Sequence, residues 1–111
     1  MSSKTAIQLA VNEPIVIGEV LLPNPEPDQV IVKLFATGIC HSQLHQLRNP
    51  SLDRPLVLGH EATGIVIDKG GEIKHVDKGD HVIISWITTP SISDNSTLMS
   101  PLYTRDNNPI Y

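Results

Sequence analysis

The 111 residues carry eight basic and twelve acidic side chains, a net charge of −4, and 40% hydrophobic content. A chain of this size hides roughly 65% of its unfolded surface, enough for one domain with a core of its own. The basic residues are scattered, which excludes a nucleic-acid footprint, and no run reaches the ~20 apolar residues of a membrane helix. Cys40 is the only cysteine, so an intrachain disulfide is excluded. The opening Met1-Ser2-Ser3-Lys4-Thr5 lacks the apolar run of a signal peptide, and a cytoplasmic location is expected. Without such a leader, Asn95-Ser96-Thr97 reads as an ordinary polar loop rather than a glycosylation site.

In chain order, Thr5 to Val11 alternates with Ile7, Leu9 and Val11 on one side, and Ile15 to Leu22 is a β-branched run. Both read as strands, joined by the turn Asn12-Glu13-Pro14. The proline-rich stretch Pro23 to Asp28 can be neither helix nor inner strand and is expected as an extended connection. Gln29 to Thr37 is the strongest strand, with Val30, Val32 and Leu34 expected on a buried face. After Cys40, the composition of Ser42 to Leu47 predicts a short helix stopped at Asn49-Pro50. Ala62 to Asp68 and His81 to Ile87 are two further strands, separated by turns at 69–72 and 78–80. Ile65, Ile67, Val82 and Ile84 are expected in the core. Beyond Ile87 the composition turns to Ser, Thr, Asn and Pro, so residues 88–111 are expected as an irregular tail of a domain spanning 1–87. Many short strands with turns about every ten residues predict a mainly β barrel or sandwich.

Chemistry concentrates in Gly38-Ile39-Cys40-His41-Ser42-Gln43-Leu44-His45 and, one loop later, Gly59-His60-Glu61. Thiolate and imidazole are the side chains zinc prefers, and a carboxylate beside them can be a ligand or an orienting partner. Taken singly, Cys40 is as readily a small core hydrophobe, His60 a satisfied loop histidine and Glu61 a solvated charge. Together they make a candidate metal set.

The ordered series Gly38-Ile39-Cys40-His41-Ser42, Gly59-His60-Glu61, Gly64-Ile65-Val66 and Gly79-Asp80-His81-Val82 resembles the N-terminal half of zinc-dependent medium-chain alcohol dehydrogenases. The resemblance covers about Thr5 to Trp86 and implies a GroES-like β-barrel. It implies that Cys40 and His60 are ligands of the catalytic zinc, with Glu61 the carboxylate able to swing onto the metal. It implies that Ser42 begins proton removal from the substrate alcohol, that His45 ends the relay at solvent, and that His41 meets the cofactor pyrophosphate. Zinc, NAD or NADP, and an alcohol or aldehyde substrate are the expected partners; a homo-oligomer is compatible with the sequence, which does not fix the oligomeric state.

Three departures stand out. Gln43 occupies the position where the family usually has aspartate, a partner of the ligand histidine. The four-cysteine structural zinc lobe has no counterpart after Trp86. No G-x-G-x-x-G occurs, and the family's third zinc ligand and nucleotide-binding domain have no match. The leading expectation is therefore an N-terminal catalytic-domain fragment, without a Rossmann domain and inactive alone. The alternatives are a stand-alone GroES-like binding or assembly module with a relic zinc motif, or a Cys40-His41 thiol nucleophile pair, which lacks an orienting acid.

Overall fold

The computed structural model describes residues 1–86 together with the strand backbone at 102–104 and 109–110. It is mainly β with one short helix, and its residues fall into two compact units. One comprises 1–23 and 40–58 with the two C-terminal strands; the other comprises 24–39 and the stretch from 59 onward.

In the first unit, β1 (Ser2–Gln8) and β2 (Ile15–Leu21) form an antiparallel pair from Ser2↔Leu21 to Gln8↔Ile15. The turn between them is made by Asn12, whose φ of 63° lies in the left-handed region that asparagine tolerates. The Glu13 N–H donates to Ala10 C=O across it at 3.2 Å. Closing that turn uses up residues 9–14, so β1 ends at Gln8 rather than Val11. At its other end β1 extends to Ser2, because the Leu22 N–H donates to Met1 C=O at 2.8 Å. A second departure lies in the segment expected to be irregular. There β6 (Leu102–Thr104) joins β2 and pairs with β7 (Pro109–Ile110), giving the order β1-β2-β6-β7. The expected strand end at Ile87 and the remainder of the 88–111 segment lie outside the described residues.

The core of this unit is Ile7 and Val20, with Leu22 and Val57 packed against them. Gln8 is bridged through both backbone groups to Leu56, each bond 2.9 Å. The helix α1 (Ser42–Arg48) begins after His41 and stops at Asn49, where Pro50 would remove the next donor.

In the second unit, β3 (Val30–Thr37), β4 (Glu61–Lys69) and β5 (His81–Ser85) form an antiparallel sheet in that order. The β3–β4 register breaks twice. Ile31↔Asp68 is followed by Val32↔Val66, leaving Ile67 extra on β4, and Leu34↔Gly64 by Ala36↔Thr63, leaving Phe35 extra on β3. Each bulge interrupts the two-residue alternation of faces. The expected core is corrected in two ways: the bulge at Ile67 sets Val66 opposite Val32, so the side chain fully buried on β4 is Val66, at 1% exposure, and on the same face Val30 and Leu34 are exposed. Val66 has the opposite phase to Ile65 and Ile67. Those two, with Val32, Val82 and Ile84, are only partly buried. Gly64 completes the contact, since a Cβ there would lie 2.4 Å from the Lys33 carbonyl oxygen.

Among the described residues, no helix is long and apolar enough to cross a membrane.

Candidate metal centre and cleft

The second unit positions His60 and Glu61. Its β3–β4 ladder closes at Thr37↔Ala62, and one step further the Gly38 N–H donates to Glu61 C=O at 2.8 Å. Glycine is needed at 38 for contact rather than for backbone freedom. A Cβ would sit 2.5 Å from Glu61 Oε2 and 3.1 Å from its Cβ. The Glu61 side chain therefore lies over the space that Gly38 leaves empty.

His60 precedes it with an unusual ring atom. Its Nε2 is buried and has no hydrogen-bond partner among the described residues. The nearest charge is Glu61 Oε1 at 3.7 Å, an ion-pair distance should the ring be protonated but too long for a hydrogen bond. A buried nitrogen left unpaired costs about 1–3 kcal/mol, so such atoms call for a specific explanation. A lone pair held for a metal ion supplies one. Imidazole, carboxylate and thiolate are zinc's ordinary donors, so His60, Glu61 and Cys40 suit zinc by donor chemistry.

The same sheet edge holds a cleft of about 480 Å³ lined by Thr37, Gly38, Glu61, Ile83, Ser85 and Trp86 among others. That volume falls in the range of small-ligand sites, and apolar walls with a few polar groups are their usual lining. Trp86 and Ile83 are both exposed. From sequence alone they read only as strand residues. The available signal was a lone tryptophan at the end of a strand, where an apolar ring has no partner across the sheet.

The first unit positions Cys40, His41, Ser42 and His45. Gln43 holds the Cys40 backbone from both sides: its N–H donates to Cys40 C=O at 3.1 Å, and its Oε1 accepts from Cys40 N–H at 3.0 Å. The amide oxygen at the family's aspartate position is thus engaged with the cysteine backbone. Ser42 Oγ–H donates to Cys40 Sγ at 3.2 Å. His41 and His45, one helical turn apart, meet edge to face with ring centres 5.3 Å apart.

The far end of α1 is clamped by Arg54, which no sequence motif marks. Its guanidinium donates to the carbonyls of Gln46 (3.2 Å), Asn49 (3.3 Å) and Leu52 (2.8 Å). A cation here adds a charged donor to carbonyls at and beyond the helix end, where the negative end of the helix dipole favours it. Gln8, buried at 3% exposure, accepts from Arg54 Nε at 3.0 Å and donates to Leu47 C=O at 3.1 Å. Alternation with Ile7 and Leu9 sets Gln8 on the side a sequence reading leaves to solvent, so the clamp gave no sequence signal.

The carboxyls held below their usual range lie elsewhere. Asp68 bonds Lys78 and Asp77 bonds Lys69, both at the far end of β4.

The family model of the alcohol dehydrogenase GroES-like domain matches residues 26–102. An NDMA-dependent alcohol dehydrogenase of Amycolatopsis methanolica is 39% identical over 88 residues, which is 78% of this chain and 24% of that protein. A putative zinc-binding dehydrogenase of Sinorhizobium meliloti 1021, solved bound to NADP, superposes with a TM-score of 0.63 at 35% identity. That match covers 73% of this chain and 23% of the other. An alcohol dehydrogenase zinc-binding domain protein from Burkholderia ambifaria gives a TM-score of 0.85 over 99% of this chain and 35% of its own. At 23% identity it speaks to the fold alone. The chain spans about a quarter of the length of the curated relatives it matches.

Proposed function

The chain belongs to the alcohol dehydrogenase GroES-like domain family, and from that premise we propose that it carries the zinc-binding, proton-handling part of an NAD- or NADP-dependent alcohol dehydrogenase. The observation that carries this reading is the buried, unpartnered Nε2 of His60. Cys40 is the thiolate ligand, His60 the imidazole ligand and Glu61 the nearby carboxylate. The Gly38–Glu61 backbone bond supports that grouping. Cys40 follows Gly38 by two residues and His60 directly precedes Glu61, so chain length keeps each Cα within about 7 Å of that bond's own residues.

Zinc in such a site supplies Lewis acidity, lowering the pKa of a substrate hydroxyl toward neutrality. The chain's own residues handle the proton this releases. Ser42 Oγ–H, which donates to Cys40 Sγ when no substrate is bound, turns away from the sulfur in the relay, so that the hydroxyl accepts the substrate's proton as it gives up its own toward His45. His45, three residues along α1 and exposed, carries a ring nitrogen in contact with solvent and passes the proton to water. His41, also exposed, offers a ring N–H to the cofactor diphosphate. The cleft beside Glu61 receives the carbon part of the alcohol against Ile83 and Trp86. The reaction balances as alcohol plus NAD(P)⁺ giving aldehyde or ketone, NAD(P)H and one proton. A cytoplasmic location goes with this reading, because a thiolate ligand stays reduced there.

The test is alcohol-dependent reduction of NAD⁺ or NADP⁺ by the chain joined to a nicotinamide-binding domain. Cys40→Ser should abolish turnover. Ser42→Ala should cost more than His45→Gln, within the roughly 10²–10⁴-fold range of general-base steps. The loss with His45→Gln should shrink at alkaline pH, where hydroxide replaces the relay. Equal and negligible effects of the Ser42 and His45 changes would refute the assignment.

A further inference from the structure

We propose that His41 and His45 form a second site, for a borderline divalent transition metal ion, separate from the Cys40 and His60 ligand set. His41 has helical backbone angles (φ −59°, ψ −30°) at the start of α1, so the two rings stand one turn apart on the same helix face. Their centres are 5.3 Å apart and their planes cross at 69°. Two imidazoles bound to one metal at about 2.0–2.1 Å have ring centres about 3.2 Å from the ion. A tetrahedral angle then separates those centres by about 5.2 Å. The spacing that chelation requires is thus already present. Both side chains are exposed, and neither ring makes a hydrogen bond among the described residues, so chelation breaks no hydrogen bond there and changes only the edge-to-face contact between the two rings.

The ligands are the two side chains, and neither the helix dipole nor backbone N–H groups are invoked. Two neutral imidazoles with water completing the shell select copper, nickel and zinc over magnesium and calcium, with affinity in the order Cu²⁺ > Ni²⁺ > Zn²⁺. With only two protein ligands the ion exchanges freely. The binding stands on geometry alone, whereas its consequence rests on the function proposed above. An ion held here occupies the imidazoles assigned to proton release and to the cofactor diphosphate, so excess zinc inhibits.

The experiment is an NMR titration of the Cys40→Ser chain with Ni²⁺, reading the ring protons of His41, His45, His60, His75 and His81. The proposal predicts that His41 and His45 broaden together, at lower nickel than His75 and His81. His45→Asn should release His41 from that broadening and weaken nickel binding about tenfold or more, since the second imidazole acts at high effective concentration. A backbone amide spectrum confirms that the variant is folded. Broadening of His41 no earlier than His75, or unchanged by His45→Asn, overturns the proposal. The His60 resonances report the other ligand set separately, so failure at one site is distinguishable from failure at the other.

Discussion

Glu61 lies where a side chain on residue 38 would have been: a Cβ on Gly38 would approach Glu61 Oε2 to 2.5 Å. The same two residues are joined through their backbones at 2.8 Å. One contact thus ends the β3–β4 ladder and sets the carboxylate beside His60.

Gly38→Ala separates those two roles. The carboxylate end is flexible and can swing away, so the cost to folding should be about 1 kcal/mol, at the low end for overpacking. Displacing Glu61 should reduce zinc affinity about 10–100-fold, the usual effect of losing a supporting carboxylate. Thermal melts and chelator competition read the two separately. Unchanged zinc affinity alongside a large loss of stability would mean that Glu61 serves only the fold.

The sheet predicts unequal costs for two residues on one face. Val66→Ala empties a fully buried position and should cost about 2 kcal/mol or more from lost burial and the cavity left. Leu34→Ser, on the strand face that sequence alone would bury, should cost well under half of that, because Leu34 is 47% exposed. Urea denaturation midpoints of the two variants measure the difference. A Leu34 loss equal to that of Val66 would contradict this difference in burial.

The far end of β4 predicts acid sensitivity. The Lys78 hydrogen bond, with help from the Lys69 backbone N–H, lowers the Asp68 pKa, and the Lys69 hydrogen bond lowers that of Asp77. A depressed folded-state pKa contributes stability that is fully present above the unfolded value of about 3.9. That contribution is lost as pH falls through the folded value. Stability should therefore hold from neutral pH down to about 5 and decline below about 4. Asp77→Asn should flatten that decline. Lys69→Met should be the more harmful change at neutral pH, since Lys69 Nζ also donates to Ile73 C=O at 3.2 Å and Val76 C=O at 2.8 Å. A pH series of melting temperatures checks both.

Much of this organisation was legible in the sequence, for identifiable reasons. Strands β2 to β5 and helix α1 are readable within a few residues because β-branched runs bounded by proline, glycine and asparagine are local signals. The mainly β, GroES-like fold followed from those runs and from the motif order. What stayed hidden was non-local. Whether Val66 or Ile67 faces Val32 depends on the bulge at Ile67, and no feature within one strand reports where its pairing with the neighbour slips. The Arg54–Gln8 clamp joins residues 46 positions apart, and the cleft wall at Trp86 exists only once β5 lies beside β4. For the site, Cys40, Ser42 and His60 were conspicuous by residue type. The grip of Gln43 on the Cys40 backbone was not, because a glutamine side chain has several partners within reach.

The central claim is that Cys40 and His60 bind one metal ion, and cobalt(II) substitution tests it most directly. A cobalt–thiolate bond gives a near-ultraviolet charge-transfer band that imidazole and carboxylate ligands do not produce. The account predicts that one equivalent of cobalt raises this band and that one equivalent of zinc abolishes it. Cys40→Ser should remove the band, and His60→Asn should weaken cobalt binding about tenfold or more. Cobalt that binds without the thiolate band, or binds equally well after His60→Asn, would contradict the assignment.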